Sequence, residues 1–143
     1  MRKSLLAIIL SLPVFSVCAD LETQDDTDGV KIPFAGRNVS LVNDKGHCAL
    51  TSADNWMVRL DVKWPCQFSK NHQGKVLLEN YRSAQIFMVQ HSEPSVSQDR
   101  RCDTDLQAVR YFKGVIELAP VSRVGACTTR RWDQKVFVWQ FDW

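Results

Sequence analysis

The sequence predicts a mainly β domain: a small antiparallel sandwich or barrel-like fold stapled by two disulfides, or an α+β variant with one short helix. Three observations predict this class: short segments in which apolar and polar residues alternate, turn residues between them, and cysteines that can pair in an exported chain. A length of 143 residues corresponds to one domain, and 45% hydrophobic with 24% charged residues excludes collagen-like and disordered chains.

The N-terminus has the pattern of a secretory signal peptide. Two basic residues precede an apolar run over residues 5–17, and the small-residue motif at residues 17–19 is a cleavage site. The run is shorter than the roughly 20 apolar residues that a transmembrane helix needs. We therefore predict a signal peptide at residues 1–19 and a periplasmic or secreted mature protein without a transmembrane span.

Cys18 raises one alternative, because bacterial lipoproteins are cut immediately before a cysteine that then carries lipid. That cleavage favours Gly, Ala or Ser just before the cysteine, where this chain has Val17. Cleavage after Ala19 also leaves four of the five cysteines, an even number that can pair completely. A soluble mature chain is therefore preferred over a lipid anchor through Cys18.

The mature chain is predicted to comprise an acidic flexible leader at residues 20–30 and a single disulfide-bonded domain at residues 31–143. Removing Arg2 and Lys3 with the signal peptide leaves as many basic residues as the 16 acidic ones, so general nucleic-acid binding is disfavoured. The leader holds a cluster of acidic residues, namely Asp20, Glu22, Asp25, Asp26 and Asp28. The domain itself is consequently net basic.

Four cysteines remain in the mature chain, and an oxidising compartment makes disulfides the default. They allow three pairings. We favour Cys48 with Cys66 and Cys102 with Cys127, because each pair brackets a run of strand-like residues and closes a loop worth about 3 kcal/mol in the chain-entropy model. A zinc site would call for a paired C-x-x-C motif, whereas His47 stands alone beside Cys48. We expect no metal and no cofactor.

The first strands are predicted from alternation and turn residues. Val39 and Leu41 indicate a short early strand that ends at the turn over residues 43–46. Met57–Trp64 alternates apolar with charged residues at a period of two, which a helix cannot place on one face. Pro65 lacks a backbone donor and ends this strand.

Residues 75–90 have two interpretations. Some apolar side chains fit helical spacing, namely Leu77, Tyr81, Ala84 and Met88. Residues 84–90 also fit a short, continuous buried strand, and we choose the strand there. The composition of residues 91–101, rich in Ser, Asp and Pro, predicts a loop.

A hairpin is predicted next along the chain. Leu106–Phe112 leads through Lys113-Gly114 into Val115–Leu118, and a glycine at the second turn position supplies the positive φ that tight hairpins require. Pro120 then ends the second strand.

The C-terminal residues 135–143 are predicted to form a last strand. Its odd positions carry an aromatic row made of Phe137, Trp139, Phe141 and Trp143. Either the row completes the core, or its distal end remains exposed as a hydrophobic anchor for a partner.

Motifs for common catalytic chemistry are missing from the sequence. It contains no G-x-S-x-G, no G-x-x-x-x-G-K-[ST] and no H-E-x-x-H. Three histidines stand apart in turn-like contexts and are expected to be exposed, namely His47, His72 and His91. Asp103 and Asp105 are expected to be solvated rather than a catalytic carboxylate pair. We therefore predict that the protein is not an enzyme.

Arginines flank the predicted second disulfide. Joining Cys102 to Cys127 brings their Cα atoms to roughly 5.5–6 Å and draws two Arg-Arg pairs toward one region. Arginine and tryptophan are enriched at binding hot spots, although these arginines could instead be solvated or paired with nearby aspartates. The candidate partner-binding residues are Arg100, Arg101, Arg130, Arg131, Trp132, Phe141 and Trp143.

In size, predicted export, disulfides and lack of a catalytic motif, the chain is similar in kind to small periplasmic inhibitor and immunity proteins that bacteria keep against wall-degrading enzymes or secreted toxins. That resemblance implies a module that binds another protein. Two alternatives stay open. An exposed aromatic edge strand would favour a structural or accessory subunit of a cell-envelope assembly. A pocket with convergent polar groups would favour a small-ligand carrier or an enzyme without a recognisable motif.

Overall fold

The computed structural model describes residues 29–96, 101–127 and 132–143. The predicted signal peptide and almost all of the acidic leader lie outside the described residues. The described chain confirms the predicted class: it is mostly β, with 56% of residues in strands, antiparallel sheets, one short helix and the two predicted disulfides.

Ten strands and one helix follow one another along the described chain. They are β1 (Ile32–Phe34), β2 (Arg37–Asp44), β3 (His47–Ser52), β4 (Met57–Lys63), β5 (Gln67–Phe68), β6 (Glu79–Tyr81), β7 (Ala84–Pro94), β8 (Cys102–Phe112), β9 (Val115–Leu118), β10 (Ser122–Val124) and α1 (Gln134–Val138).

The strands form two antiparallel sheets. The first sheet has the order β1-β2-β3-β4. The second is built around the long β7–β8 hairpin: β5 and β6 pair with the outer side of β7, while β9 and β10 pair with the outer side of β8. Each sheet therefore begins and ends with a strand that has a neighbour on one side only.

Two predicted turns are confirmed and share a conformation. Lys45 and Gly46 both have positive φ, at 52° and 85°, and so do Lys113 and Gly114, at 51° and 84°. Two consecutive positive φ values are the mark of a type I′ turn, whose twist matches that of the flanking strands. The side chain of Asn43 also accepts a hydrogen bond from the Gly46 N–H at 2.8 Å.

The first hydrophobic core lies between the two sheets. Its fully buried members include Val39, Leu50, Leu60, Phe87 and Val109, which come from both sheets. The Cys48–Cys66 disulfide belongs to this core, since both half-cystines are buried. The two sheets therefore pack face to face as a sandwich.

A second core lies on the opposite face of the second sheet, beneath the C-terminal segment. It consists of Ala84, Ile86, Met88, Ala108, Ala119 and Phe137. Because side chains alternate across a strand, β7 and β8 bury apolar residues on both faces. This explains the continuous apolar run over residues 86–89 that resembled either a strand or a buried helix.

A buried glutamine joins the two sheets at their edge. The Oε1 atom of Gln107 accepts from the Asp61 N–H at 2.8 Å, and its Nε2 donates to Asp61 Oδ2 at 3.0 Å. The same Nε2 donates to the carbonyl of Ala119 at 2.9 Å. Every polar atom of the Gln107 side chain thus has a partner, as burial requires.

The predicted C-terminal strand is wrong. Residues 134–138 form helix α1, and the chain then continues as a short tail. Asp133 caps the helix, because its Oδ1 accepts from the backbone N–H of Lys135 at 2.8 Å. Phe137 is fully buried, whereas Trp139 is 83% exposed, so the aromatic row does not share one face.

The region over residues 75–101 is partly confirmed. The predicted strand at residues 84–90 is present, and the helical interpretation of residues 75–90 is wrong. The loop predicted at residues 91–101 begins too early, because β7 continues to Pro94. The strand predicted from Leu106 begins too late, because β8 starts at Cys102. The additional rungs pair polar residues across the hairpin, such as Glu93 with Asp103. The polar composition of residues 91–101 therefore predicted a loop where the strands in fact continue.

Candidate functional site

The end of the β7–β8 hairpin projects beyond the core. The ladder between the strands runs from Gln85 opposite Tyr111 to Pro94 opposite Cys102. Beyond it, the N–H of Ser95 donates to the carbonyl of Arg101 at 2.9 Å and closes the connecting loop. We call residues 91–96 and 101–105 the hairpin tip.

Val96 at the hairpin tip is fully exposed, with a relative accessibility of 103%. Arg101, on the other side of the loop, is also exposed. An apolar side chain held entirely in water is stabilised by burial against another molecule, at about 25 cal/mol per Å² of apolar surface. The tip therefore offers an apolar contact beside a cation.

The hairpin tip is fastened to the rest of the chain from one side. Cys102 is disulfide-bonded to Cys127, with 4.8 Å between their Cα atoms. Next to it, the hydroxyl of Thr104 donates to the carbonyl of Ala126 and contacts the hydroxyl of Ser92. Because these links restrain the segment before binding, less conformational entropy remains to be lost when a partner binds.

Charged side chains of both signs form a row across the base of the tip. Arg123 on β10 makes two hydrogen bonds to Asp105, at 2.7 and 3.0 Å. Glu93 lies 3.7 Å from both Lys63 and the Nε2 atom of His91. The charges are thus paired with one another at the base of the tip, where His91 lies opposite Asp105, three rungs before the end of the ladder.

The hydrogen bonds from Arg123, followed by the positive charges of Arg123, His91 and Lys63, lower the pKa of Asp105 below its ordinary value. These effects outweigh the desolvation of Asp105, which acts in the opposite direction. Asp105 is therefore a carboxylate at neutral pH, and it fixes the orientation of Arg123.

The substitution Asp105→Asn is expected to flatten the acid limb of the stability profile. Because the folded pKa is depressed, the ionised carboxylate stabilises the fold above the unfolded pKa of about 3.9, and this stabilisation is lost as the pH falls through the folded value. Urea unfolding should show the wild type more stable by about 0.5–1 kcal/mol at neutral pH, with the difference shrinking as the pH falls below the ordinary pKa of an aspartate. The control Asp44→Asn breaks a longer pair, at 3.9 Å from Arg59, and should change less. A difference for Asp105→Asn that persisted at the lowest pH would contradict this origin.

The expectation that all three histidines are exposed is wrong for two of them. The side chain of His91 is only 11% exposed, and its Nδ1 lies 2.6 Å from the carbonyl oxygen of Pro65. The Nδ1 atom of His47 is buried and has no hydrogen-bond partner in the part of the chain that the structure describes. Only His72 is exposed as expected. Strand pairing, which sequence context did not show, buries the other two.

The candidate partner-binding residues fall in different places. Arg101 lies at the hairpin tip, whereas Arg100, Arg130 and Arg131 lie outside the described residues. Trp132 is partly buried: it packs on the second core, and its indole N–H donates to Oε1 of Gln90 at 2.9 Å. The structure therefore brings Trp132 to the second sheet rather than leaving it in solvent.

Phe141 and Trp143 lie in the tail after α1. Phe141 is half-buried against the second core, and Trp143 is 41% exposed. The indole N–H of Trp143 donates to the carbonyl of Val138 at 2.8 Å, and its ring meets Tyr81 edge-on at 4.8 Å. Both aromatic side chains thus have partners within the chain.

Sequence reasoning missed the residue that holds this tail. Arg110 on β8 is 7% exposed. Its Nε donates to Glu117 at 2.6 Å and its Nη1 to the carbonyl of Asp142 at 2.9 Å. The guanidinium also lies 4.5 Å from the ring centre of Phe141 and 4.7 Å from that of Trp143. An arginine inside the apolar run of β8, opposite a glutamate across the predicted hairpin, was the available signal.

Within residues 29–96, 101–127 and 132–143, no group of three or more His, Cys, Asp or Glu side chains is placed to hold a metal ion. The same described ranges contain no helix of the length and apolar character needed to cross a membrane. Comparison of the chain with protein-family models, with curated proteins and with solved structures finds no match in any of the three. The class of protein therefore rests on its own fold: a disulfide-bonded antiparallel sandwich with a braced, projecting hairpin.

Proposed function

We propose that this protein is a small exported protein-binding module, an inhibitor or immunity protein against a secreted or cell-wall-acting enzyme, whose hairpin tip contacts that enzyme. The observation that carries the proposal is the full exposure of Val96 on a loop whose base is closed by a hydrogen bond and fastened by the Cys102–Cys127 disulfide. Because the residues on both sides of this loop are already held, less of their conformational freedom is lost when a partner binds.

The chemistry of the tip supports binding rather than catalysis. The exposed Val96 and the exposed Arg101 lie at its end, and paired charges lie at its base, so the tip offers both apolar and polar contacts, as protein interfaces do. Arg101 adds a residue type that is enriched at binding hot spots. The titratable side chains of Glu93, Asp105 and Arg123 already pair with neighbours of the same chain, which suits a fixed surface better than proton transfer.

The proposed location is the periplasm or the extracellular space. Two disulfides are compatible with such an oxidising compartment. The predicted signal peptide at residues 1–19 supports export, and cleavage after Ala19 leaves no unpaired cysteine. An envelope-assembly role depended on an aromatic C-terminal edge strand. That segment contains helix α1 instead, so the observation that would favour this role is missing.

The substitution Val96→Asp is expected to reduce partner capture at least about tenfold, because burying an unpaired carboxylate opposes binding by more than 1.4 kcal/mol. The experiment immobilises the exported protein, passes an envelope extract over it and quantifies the retained proteins by mass spectrometry. The double variant Arg101→Ala with Arg130→Ala tests the predicted arginine surface in the same way.

Trp139→Asp serves as the matched control, because it places the same charge on another exposed apolar residue, at the end of α1 and outside the hairpin tip. It should retain the partner, and the free energy of unfolding of every variant, measured in urea, should stay within about 0.5 kcal/mol of the wild-type value. If the wild type and Val96→Asp retain the same amount of partner, the hairpin tip is not the contact surface.

A further inference from the structure

A cleft opens at the other end of β8 from the hairpin tip. It has a volume of about 580 Å³. Polar and apolar atoms share its surface about equally, and its apolar and aromatic side chains are Trp56, Val58, Tyr111, Val115, Ile116 and Leu118. Cys102 at the hairpin tip and Tyr111 in the cleft are nine residues apart on β8, which at about 3.3 Å per residue separates them by roughly 30 Å.

The cleft lies where the edges of the two sheets come together. One wall belongs to β4, which within the described residues pairs only with β3, and another belongs to β9, which within the same residues pairs only with β8. Ala35 and Arg37, from the β1–β2 region, also line the cleft. A strand with one neighbour presents unpaired backbone N–H and C=O groups along its free edge. The cleft is therefore bordered by two strand edges that can still form a ladder.

Gln107 closes one end of this gap. It is fully buried and bridges Asp61 on β4 to Ala119, the residue immediately after β9. Beyond that bridge, Val58 and Leu118 line an open space rather than meeting across the edge. The two sheets are thus joined at one end of the gap and leave a groove at the other.

A braced cation lies at the open end. Arg37 lines the cleft, and its guanidinium lies 4.9 Å from the ring centre of Trp56 and 3.4 Å from Asp54. Asp54 is held by the hydroxyl of Ser52, and the carbonyl of Trp56 accepts from the N–H of Ser52 at 3.1 Å. An arginine carries several N–H donors, and Asp54 engages only one of its nitrogen atoms.

Exposed apolar surface borders the groove as well. Val115 is 57% exposed and Leu118 37%, and both line the cleft. The groove therefore combines exposed apolar side chains with the cation of Arg37.

We propose that this cleft binds an extended peptide segment of another protein, one that carries apolar side chains at alternate positions and an acidic side chain opposite Arg37. The segment adds a strand to the free edge of β4 or β9 through main-chain hydrogen bonds, and its alternate side chains enter the apolar groove. Its carboxylate accepts hydrogen bonds from Arg37, so the site selects for sequence as well as for extended backbone.

The test selects a phage-displayed library of random dodecapeptides on the full exported chain. Enriched peptides are expected to share alternating apolar residues and an Asp or Glu. Their affinity should fall at least about tenfold with Leu118→Lys, which places a charge in the apolar wall. With Arg37→Gln the loss should be similar, and exchanging the acid of the peptide for its amide should then cost nothing further. On peptide binding, amide hydrogen exchange should slow in β4 and β9.

Val96→Asp at the hairpin tip is the matched control and should leave peptide affinity unchanged, so failure here and failure of the proposed function are distinguishable. Urea unfolding of Leu118→Lys and Arg37→Gln verifies that the variants fold. The proposal is overturned if no peptide is enriched, or if enriched peptides bind both cleft variants as they bind the wild type. Concentration-dependent dimerisation that protects the same strands, without any enriched peptide, would overturn it in favour of a second copy of the chain.

Discussion

Replacing Arg110 with alanine is expected to lower the free energy of unfolding by about 3 kcal/mol. Arg110 is almost completely buried and makes a short ion pair with Glu117, at 2.6 Å from its Nη2. Removing the cation leaves a carboxylate that is 41% exposed, so water offsets part of the lost pairing. The remaining loss comes from the tail, because the hydrogen bond to Asp142 and the stacking on two aromatic rings disappear together.

Urea unfolding measures this effect, and amide hydrogen exchange locates it. Exchange should accelerate in the tail after α1, whereas the first core should stay protected until global unfolding. Arg110→Met separates charge from bulk, since it keeps an aliphatic stem among the same rings, and it should be less destabilising than alanine. A loss below about 1 kcal/mol for Arg110→Ala would contradict the view that this arginine holds the tail.

The control for Arg110 is Arg59→Ala on β4. Arg59 is half-exposed and lies 3.9 Å from Asp44, so its pair is screened by solvent and should contribute less than about 1 kcal/mol. Arg59→Ala and Arg110→Ala therefore remove the same side chain from the two sheets, at an exposed and at a buried position. An equal loss at both positions would mean that burial of Arg110 adds nothing.

Local signals account for the part of the fold that could be predicted. Met57–Lys63 alternates at a period of two along a strand with one buried face, and Lys113-Gly114 specifies a turn that few other dipeptides fit. The cysteine pairing was predicted from proximity along the chain together with the prediction of export, and both disulfides are confirmed. These features depend on neighbours in sequence, which is why a single chain reveals them.

The C-terminal segment was wrongly predicted as a strand because its alternation of aromatic residues was given more weight than the helix-capping residue Asp133. Five residues fit either a period of two or one turn of helix, and Asp133 decided the outcome by accepting a hydrogen bond from the Lys135 N–H. Arg110 also holds the tail against the second sheet, because its Nη1 donates to the carbonyl of Asp142, about 30 residues away along the chain. Contacts at that separation depend on the sheet register, which sequence patterns alone do not supply.

The candidate site was predicted only in outline. The sequence indicated a binding surface near the Cys102–Cys127 disulfide, and the structure shows Arg101 beside that bond. It did not indicate Val96, because a valine between serines in a polar stretch carries no signal of exposure. The cleft between β4 and β9 was also missed, since it arises from the relative placement of two sheets that sequence alone leaves undefined.

Removing each disulfide in turn is expected to separate folding from binding. The bonds close segments of 18 and 25 residues, so chain entropy predicts a loss of about 3–4 kcal/mol for either one. The double variant Cys48→Ala with Cys66→Ala also removes buried sulfur atoms from the first core. Its total loss should approach about 5 kcal/mol, enough to unfold a marginal domain at growth temperature.

The double variant Cys102→Ala with Cys127→Ala should act on the hairpin tip instead. Both half-cystines are only partly buried. The β7–β8 rungs from Gln85–Tyr111 to Gln90–Leu106 do not depend on them. We expect the folded core to persist, with a free energy of unfolding lowered by about 3 kcal/mol. Amide hydrogen exchange should accelerate over residues 91–96 and 101–105.

Partner capture by this second variant decides between two roles of the disulfide. If the bond preorganises the hairpin tip, capture should weaken at least about tenfold even under conditions where the protein is fully folded, because the tip must then be ordered on binding. The control is Asp105→Asn, which loses a bond at the base of the tip but keeps the disulfide, and it should retain most of the capture. Undiminished capture by the folded double variant would show that the bond stabilises the fold without contributing to recognition.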